Sequence, residues 1–141
     1  MHRPAIDGWE ERVRASFARQ GLMTHLGARI AELAPGTCTL EIDFGPHLTQ
    51  QHGLFHAGVT TTLADNAGGY AAYTLFPEGT EVLTVELKIS FIAPAAGSRL
   101  TAAGSVLRHG RRLTTCEVRV AAHGEDGPKT CAVMLQTLIA V

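Results

Sequence analysis

A single carboxylate, Asp65, interrupts an alanine-rich apolar run over residues 57–75. A charged side chain is costly to keep in such surroundings unless something uses it, which makes Asp65 the first candidate for chemistry. The run begins at His56-Ala57-Gly58. In a helix starting there, the backbone N–H groups of Ala57, Gly58 and Val59 have no intrahelical partners and stand at the positive end of the dipole. Such donors polarise a carbonyl and hold an oxyanion, while a carboxylate serves as general base on water or as nucleophile. Gln50, in the polar stretch before the helix, offers a neutral amide that can orient the water or the carboxylate.

The two halves of this chemistry do not meet within one chain. At a rise of about 1.5 Å per residue, Ala57 and Asp65 stand about 12 Å apart along the axis, too far for one small reacting group to touch both. Two such helices lying antiparallel across a two-fold axis bring the Asp65 of each beside the helix start of the other. The sequence therefore predicts a dimer with two equivalent composite sites.

Plainer readings stand beside these. Asp65 could be a structural acid paired with a buried arginine. His47, His52 and His56 have loop spacings that suit no metal, so no metal site is expected. His56 is expected to brace the helix start through its ring. Tyr70 and Tyr73 are helix aromatics of the kind that usually belong to a core.

The elements that must position these residues follow from pattern. Asp7 and Glu10 form a capping-box spacing, and Trp9, Val13 and Phe17 recur at helical intervals until Gly21, predicting a short amphipathic helix over residues 7–20. Its basic face, Arg12, Arg14 and Arg19, reads as solvated surface. Strand-like runs at 29–33 and 37–44 flank Ala34-Pro35-Gly36, a hairpin turn. Residues 45–55 form a loop leading into the long helix, where Gly68-Gly69 disfavours helix by about 1 kcal/mol per glycine and implies close packing against it. Four strands follow, at 81–92, 99–108, 112–122 and 129–141, joined by turns short enough to make neighbours antiparallel. In the first of them Leu83, Val85, Leu87, Ile89 and Phe91 are expected on one face, opposite Thr84, Glu86, Lys88 and Ser90.

Composition bounds the rest. The 141 residues fit a single domain, 45% are hydrophobic and 18% charged, and the formal net charge is -1, which argues against nucleic acid as a partner. No apolar run reaches the roughly 18 residues of a membrane span, and the first twenty residues lack a signal peptide's apolar centre. The expected location is cytoplasmic, with no membrane partner. Cys38, Cys116 and Cys131 are odd in number, far apart and in apolar segments, as reduced buried thiols are. The expected fold class is α+β, one antiparallel sheet of about five or six strands wrapped round one long central helix.

His56-Ala57-Gly58, Leu63-Ala64-Asp65, Thr84-Val85-Glu86-Leu87 and Phe91-Ile92-Ala93-Pro94-Ala95 together resemble the hotdog-fold acyl-CoA thioesterases of the PaaI-like branch. The resemblance covers nearly the whole chain after Gly21. It implies hydrolysis of acyl-CoA by an oligomer, a dimer or a dimer of dimers, with no cofactor beyond the CoA of the substrate. It carries Asp65 over as catalytic acid, Gln50 as partner amide, Gly58 as the second glycine of the motif and Thr84 as an assisting hydroxyl. Ala57 stands where the family usually has glycine, keeping the N–H and adding a methyl. The tip carrying Arg108, Arg111 and Arg112 resembles the family's basic turn near the CoA phosphates, and His56 and Tyr70 are expected beside the substrate. A hotdog dehydratase is disfavoured because no histidine follows His56 in the helix. A non-catalytic acyl-CoA-binding module is the alternative that Ala57 favours.

Overall fold

In the computed structural model, which describes residues 2–141, the chain opens on two short helices, α1 (Trp9–Ala18) and α2 (Gly21–Leu26). Val13 is wholly buried, and Trp9 and Phe17 pack against the same core. The expected Asp7 cap is absent: Gly8 holds the N-cap position at φ 74° and no side chain bonds to the helix start. That left-handed conformation suits glycine and displaces Asp7 from where a capping side chain must stand. Gly21, expected to end the first helix, starts the second.

The strands are β1 (Arg29–Ala34) and β2 (Thr37–Asp43), then, beyond the long helix α3 (Ala57–Tyr73), β3 (Val82–Phe91), β4 (Arg99–His109), β5 (Leu113–Gly124) and β6 (Gly127–Ala140). They form one antiparallel sheet of six strands in the order β1-β2-β4-β5-β6-β3. It curls round α3, whose Leu63, Ala64, Ala67 and Ala71 are wholly buried against it. The expected α+β architecture of a sheet wrapped round one helix holds. Among the described residues, no helix is long and apolar enough to cross a membrane.

Small residues set how close the helix lies. A Cβ on Gly104 of β4 would stand 2.6 Å from the carbonyl of Ala67, so the helix backbone rests directly on the strand. A Cβ on Gly68 would run into Gln136 of β6. The close packing expected of Gly68-Gly69 thus belongs to Gly68; at Gly69 an added Cβ would meet only Leu138, at an ordinary 3.8 Å.

Two sequence expectations change in this frame. Arg12, read as solvated, donates to the carbonyl oxygens of Pro77, Tyr73 and Phe76 at 2.7, 2.8 and 2.9 Å. Its guanidinium also lies 4.1 Å from the Tyr73 ring centroid. The unpaired carbonyls at a helix end attract a cation, and Arg12 thereby ties α1 to the end of α3.

The second change is in β3. Thr84 pairs with Leu138 but Glu86 with Thr137, leaving Val85 as the extra residue of a bulge. A bulge reverses which face later side chains occupy. Leu87 and Ile89 therefore pack on the core together with Val82, while Leu83 and Val85 are 57% and 53% exposed. Thr84 falls on the inner side with Leu87 and Ile89, and the predicted single apolar face of β3 is corrected to this broken one.

All three cysteines are buried and free. Burial pushes the Cys38 and Cys116 thiols from 9.0 up to about 12. Folded thiols thus hold their protons where unfolded ones release them, so stability is full below about pH 9 and declines as pH rises toward 12. The slope approaches about 1.4 kcal/mol per pH unit for each thiol. Denaturant midpoints should fall between about pH 8.5 and 10, and fall less steeply in the Cys38→Ala/Cys116→Ala variant; equal slopes would contradict the burial account.

Candidate active site

The helix start is built by the loop before it. Gln50 Oε1 accepts the N–H groups of His52 and Leu54 at 2.6 and 3.3 Å, and Gln50 N–H donates to Leu54 O at 3.0 Å. The loop that ends at His56 is folded on the Gln50 side chain. His56 is the N-cap of α3, and its Nδ1 accepts the Gly58 N–H at 2.7 Å. The neutral ring must then carry its proton on Nε2. A Cβ on Gly58 would stand 3.0 Å from Nδ1, so glycine leaves room for this cap. The expected bracing by His56 is what forms.

The cap changes the count of open donors. Val59 and Thr60 N–H groups both donate to His56 O, at 2.9 and 3.2 Å, and Gly58 is taken by the ring. Ala57 N–H alone meets no acceptor among the described residues. The expectation of three open donors is corrected to one. Ala57 and Gln50 line a shallow depression of about 190 Å³ together with Phe55, Thr60 and Phe91.

Asp65 opens elsewhere, into a cleft of about 310 Å³ that also takes in Asn66, Tyr70, Tyr73, Glu81 and Thr84. Its Oδ1 accepts the Thr84 hydroxyl at 2.7 Å and the Gln136 amide Nε2 at 2.5 Å. Nε2 is also 3.0 Å from Asp65 O and from Thr84 Oγ1. No protein group meets Oδ2, and no arginine or lysine pairs with Asp65 among the described residues. The competing reading of Asp65 as half of a buried ion pair is thereby removed.

Tyr70 is both core and cleft wall. It is 6% exposed, its ring meets Phe17 and Tyr73 edge-on, and its hydroxyl bonds to Ser16 Oγ and Gln20 Nε2 at 3.2 and 2.9 Å. Tyr73 donates to Glu81 Oε1 at 3.2 Å. Burial raises both phenols above their ordinary value, opposed at Tyr70 by the Ser16 and Gln20 bonds and at Tyr73 by Arg12. The two phenols therefore stay neutral at physiological pH while offering polar contacts.

Arg108, Arg111 and Arg112 are exposed at the β4–β5 turn and form no ion pair among the described residues. The turn sits beyond the C-terminal end of α3, where His109 meets the Phe76 ring at 4.6 Å. Within one chain these arginines line neither the Asp65 cleft nor the Gln50–Ala57 depression. No group of three or more His, Cys, Asp or Glu side chains close enough for a metal occurs among the described residues.

Sequence reasoning missed Ser16, Gln20 and Gln136. The last left a signal: Gln136 occupies the buried phase of β6, with Ala132, Met134 and Leu138, where every other side chain is apolar.

The profile of the thioesterase superfamily matches residues 52–129, more than half of the chain. The chain belongs to the thioesterase superfamily. The thioesterase is 43% identical to a thioesterase family protein of Silicibacter pomeroyi, with a TM-score of 0.94 over 95% of this chain and 98% of that one. It is 33% identical, over 105 residues, to a candidate esterase of Halobacterium salinarum, spanning 71% of this chain and 69% of the relative. The PaaI protein of E. coli, from the phenylacetic acid degradation operon, shares the hotdog fold at 19% identity, with a TM-score of 0.83 over 94% of this chain and 93% of that one.

Thr84→Val keeps the side-chain shape and removes one donor from Asp65 Oδ1. A hydrogen bond to a carboxylate contributes roughly 1.5–3 kcal/mol, so thioester hydrolysis should slow by about 10- to 100-fold, more than any accompanying fall in the folded fraction. An undiminished rate would remove Thr84 from the site.

Proposed function

We propose that the thioesterase hydrolyses acyl-CoA to the free acid and CoA, at two equivalent sites each assembled from two subunits. The observation that carries this reading is the separation of its parts: the carboxylate of Asp65 and the open N–H of Ala57 lie in different recesses of one chain. Two α3 helices antiparallel across a two-fold axis join each carboxylate to the other chain's donor. The edge of the sheet supports such an assembly. β3 ends the strand order, and Leu83, Val85, Phe91 and Ile92 on or beside it are all more than half exposed. An apolar, unpaired edge of this kind favours pairing with a second copy.

The acyl carbonyl accepts the N–H of the partner subunit's Ala57, at the positive end of that helix. Asp65 then takes a proton from the attacking water, or attacks the carbonyl carbon itself, with Thr84 holding its other oxygen. The tetrahedral oxyanion collapses, the C–S bond breaks, and the CoA thiolate leaves, taking the proton that Asp65 abstracted from water. Where Asp65 itself attacks, the acyl–Asp65 anhydride is then cleaved by water, which releases the acid, supplies the thiol proton and restores the carboxylate. Gly58 contributes by admitting the His56 ring, and Gln50 by shaping the loop that presents Ala57. Tyr70 and its neighbours Ser16 and Gln20 border the acyl group, and the exposed Arg108, Arg111 and Arg112 supply charge for the CoA phosphates. Water is the second substrate and no cofactor takes part. The reading places the protein in the cytoplasm, in keeping with its free buried thiols.

A pair of variants tests the shared site. Asp65→Ala should lower turnover on a panel of acyl-CoAs by at least about 100-fold. Ala57→Pro removes the open N–H at the first helical position, where proline is tolerated, and the extended His56 (φ -61°, ψ 139°) is compatible with a following proline. Each variant alone should be inactive, and the mixed dimer should regain about half of the wild-type rate, because one of its two sites is intact. Failure of the mixture to regain activity would reject the shared site, and full turnover by Asp65→Ala would reject the mechanism. CoA binding without turnover by the unaltered protein would establish a binding module instead.

A further inference from the structure

We infer that Gln136 is a positioning residue that fixes the Asp65 carboxylate for catalysis, an inference that rests on the reading of Asp65 as the catalytic acid. Gln136 is wholly buried on the inner face of β6, between Met134 and Leu138 and opposite Leu87. Its Nε2 lies 2.5 Å from Asp65 Oδ1 and 3.0 Å from Asp65 O and Thr84 Oγ1. The first two are pure acceptors when the carboxylate is ionised, so the amide must present its nitrogen to them. Its oxygen is then turned into the core, buried and without a partner.

That oxygen separates a structural role from a functional one. A buried acceptor with no donor lowers stability, and Met134 and Leu138 show that an apolar side chain suits this face. Gly68 adds a second concession. A glycine inside a helix is unfavourable, yet any Cβ there would collide with Gln136 Oε1. Two choices that weaken the fold thus converge on a single outcome, an amide held beneath Asp65. Concessions of this kind are characteristic of functional positions.

The amide acts through geometry. With Gln136 and Thr84 both donating to Oδ1, the carboxylate is held in one rotation and Oδ2 remains as the oxygen without a protein partner, in the cleft that Asp65 lines. Gln136 reaches no substrate itself. It also bonds Asp65 O, so side chain and backbone are gripped by the same group.

Gln136→Met, close in shape and without the amide, is the test. The melting temperature should hold or rise, KM should stay within about 2-fold, and kcat should fall by about 100-fold, the loss expected when a reacting group is displaced by about 1 Å. Gly68→Ala should lower kcat by displacing the amide, and the Gly68→Ala/Gln136→Met double variant should be no slower than Gln136→Met alone. Crystal structures of the wild type and Gln136→Met should show Asp65 fixed in the first and rotated or disordered in the second. Unchanged kcat in Gln136→Met, or an undisturbed Asp65 in its crystal structure, would overturn the inference. So would a fall in melting temperature with kcat reduced only in proportion to the folded fraction. Should the wild type hydrolyse no acyl-CoA, the hydrolysis reading fails, while the two crystal structures still decide whether Gln136 holds Asp65.

Discussion

The contact of the α3 backbone with β4, at Ala67 and Gly104, sets the geometry of everything else. A helix normally keeps its distance from a sheet because side chains on both stand between them; here alanines on the helix and a glycine on the strand remove that spacing. With the backbones this close, a glutamine on β6 is long enough to reach past the helix surface and bond both the main chain and the side chain of Asp65. On a more distant helix the same residue would end in the apolar core. The small residues of α3 thus serve the site as much as the packing.

The bulge at Val85 solves a second problem. Leu87 and Ile89 must face inward to close the core at this edge, and Thr84 must also face inward to reach Asp65. Thr84 and Leu87 are separated by an odd number of positions, so a regular strand would place them on opposite faces. One extra residue reconciles them. The same bulge leaves Leu83 and Val85 exposed on an edge strand. One local irregularity therefore serves both the carboxylate and the surface on which a second subunit is proposed to assemble.

Much of the fold was legible because periodicity reports burial. The run at 37–44 forms β2 with Cys38, Leu40 and Ile42 buried at every second position, while Phe44 falls just past the strand and is exposed, and the breakers at Phe76-Pro77 end the long helix close to where they stand. Alternation failed in β3 because a bulge changes phase without changing composition. The Asp7 cap failed because the competing glycine is adjacent and takes the left-handed conformation. At the site, Asp65 was legible because charge in an apolar helix is conspicuous, and Thr84 came only from resemblance to a family. Gln136 was recoverable: a polar residue at the buried phase of an otherwise apolar strand is the same kind of signal as Asp65. Ser16, Gln20 and the grip of Arg12 were not, since they depend on where α1 docks, and nothing local to those residues records that.

The helix start shows how a site can become more selective by losing donors. His56 takes the Gly58 N–H with its own ring and the Val59 and Thr60 N–H groups with its carbonyl, so one N–H remains where an uncapped helix offers several. The donors taken up by His56 still contribute to the aligned dipole, so the field at the helix end persists while the direction of the remaining hydrogen bond is narrowed. Catalysis by preorganised dipoles depends on donors held where charge will develop more than on their number. Under the proposed mechanism an alanine at this position is less of a departure from glycine than its side chain suggests, because what that mechanism asks of residue 57 is its amide hydrogen, and that hydrogen is the one the cap leaves open.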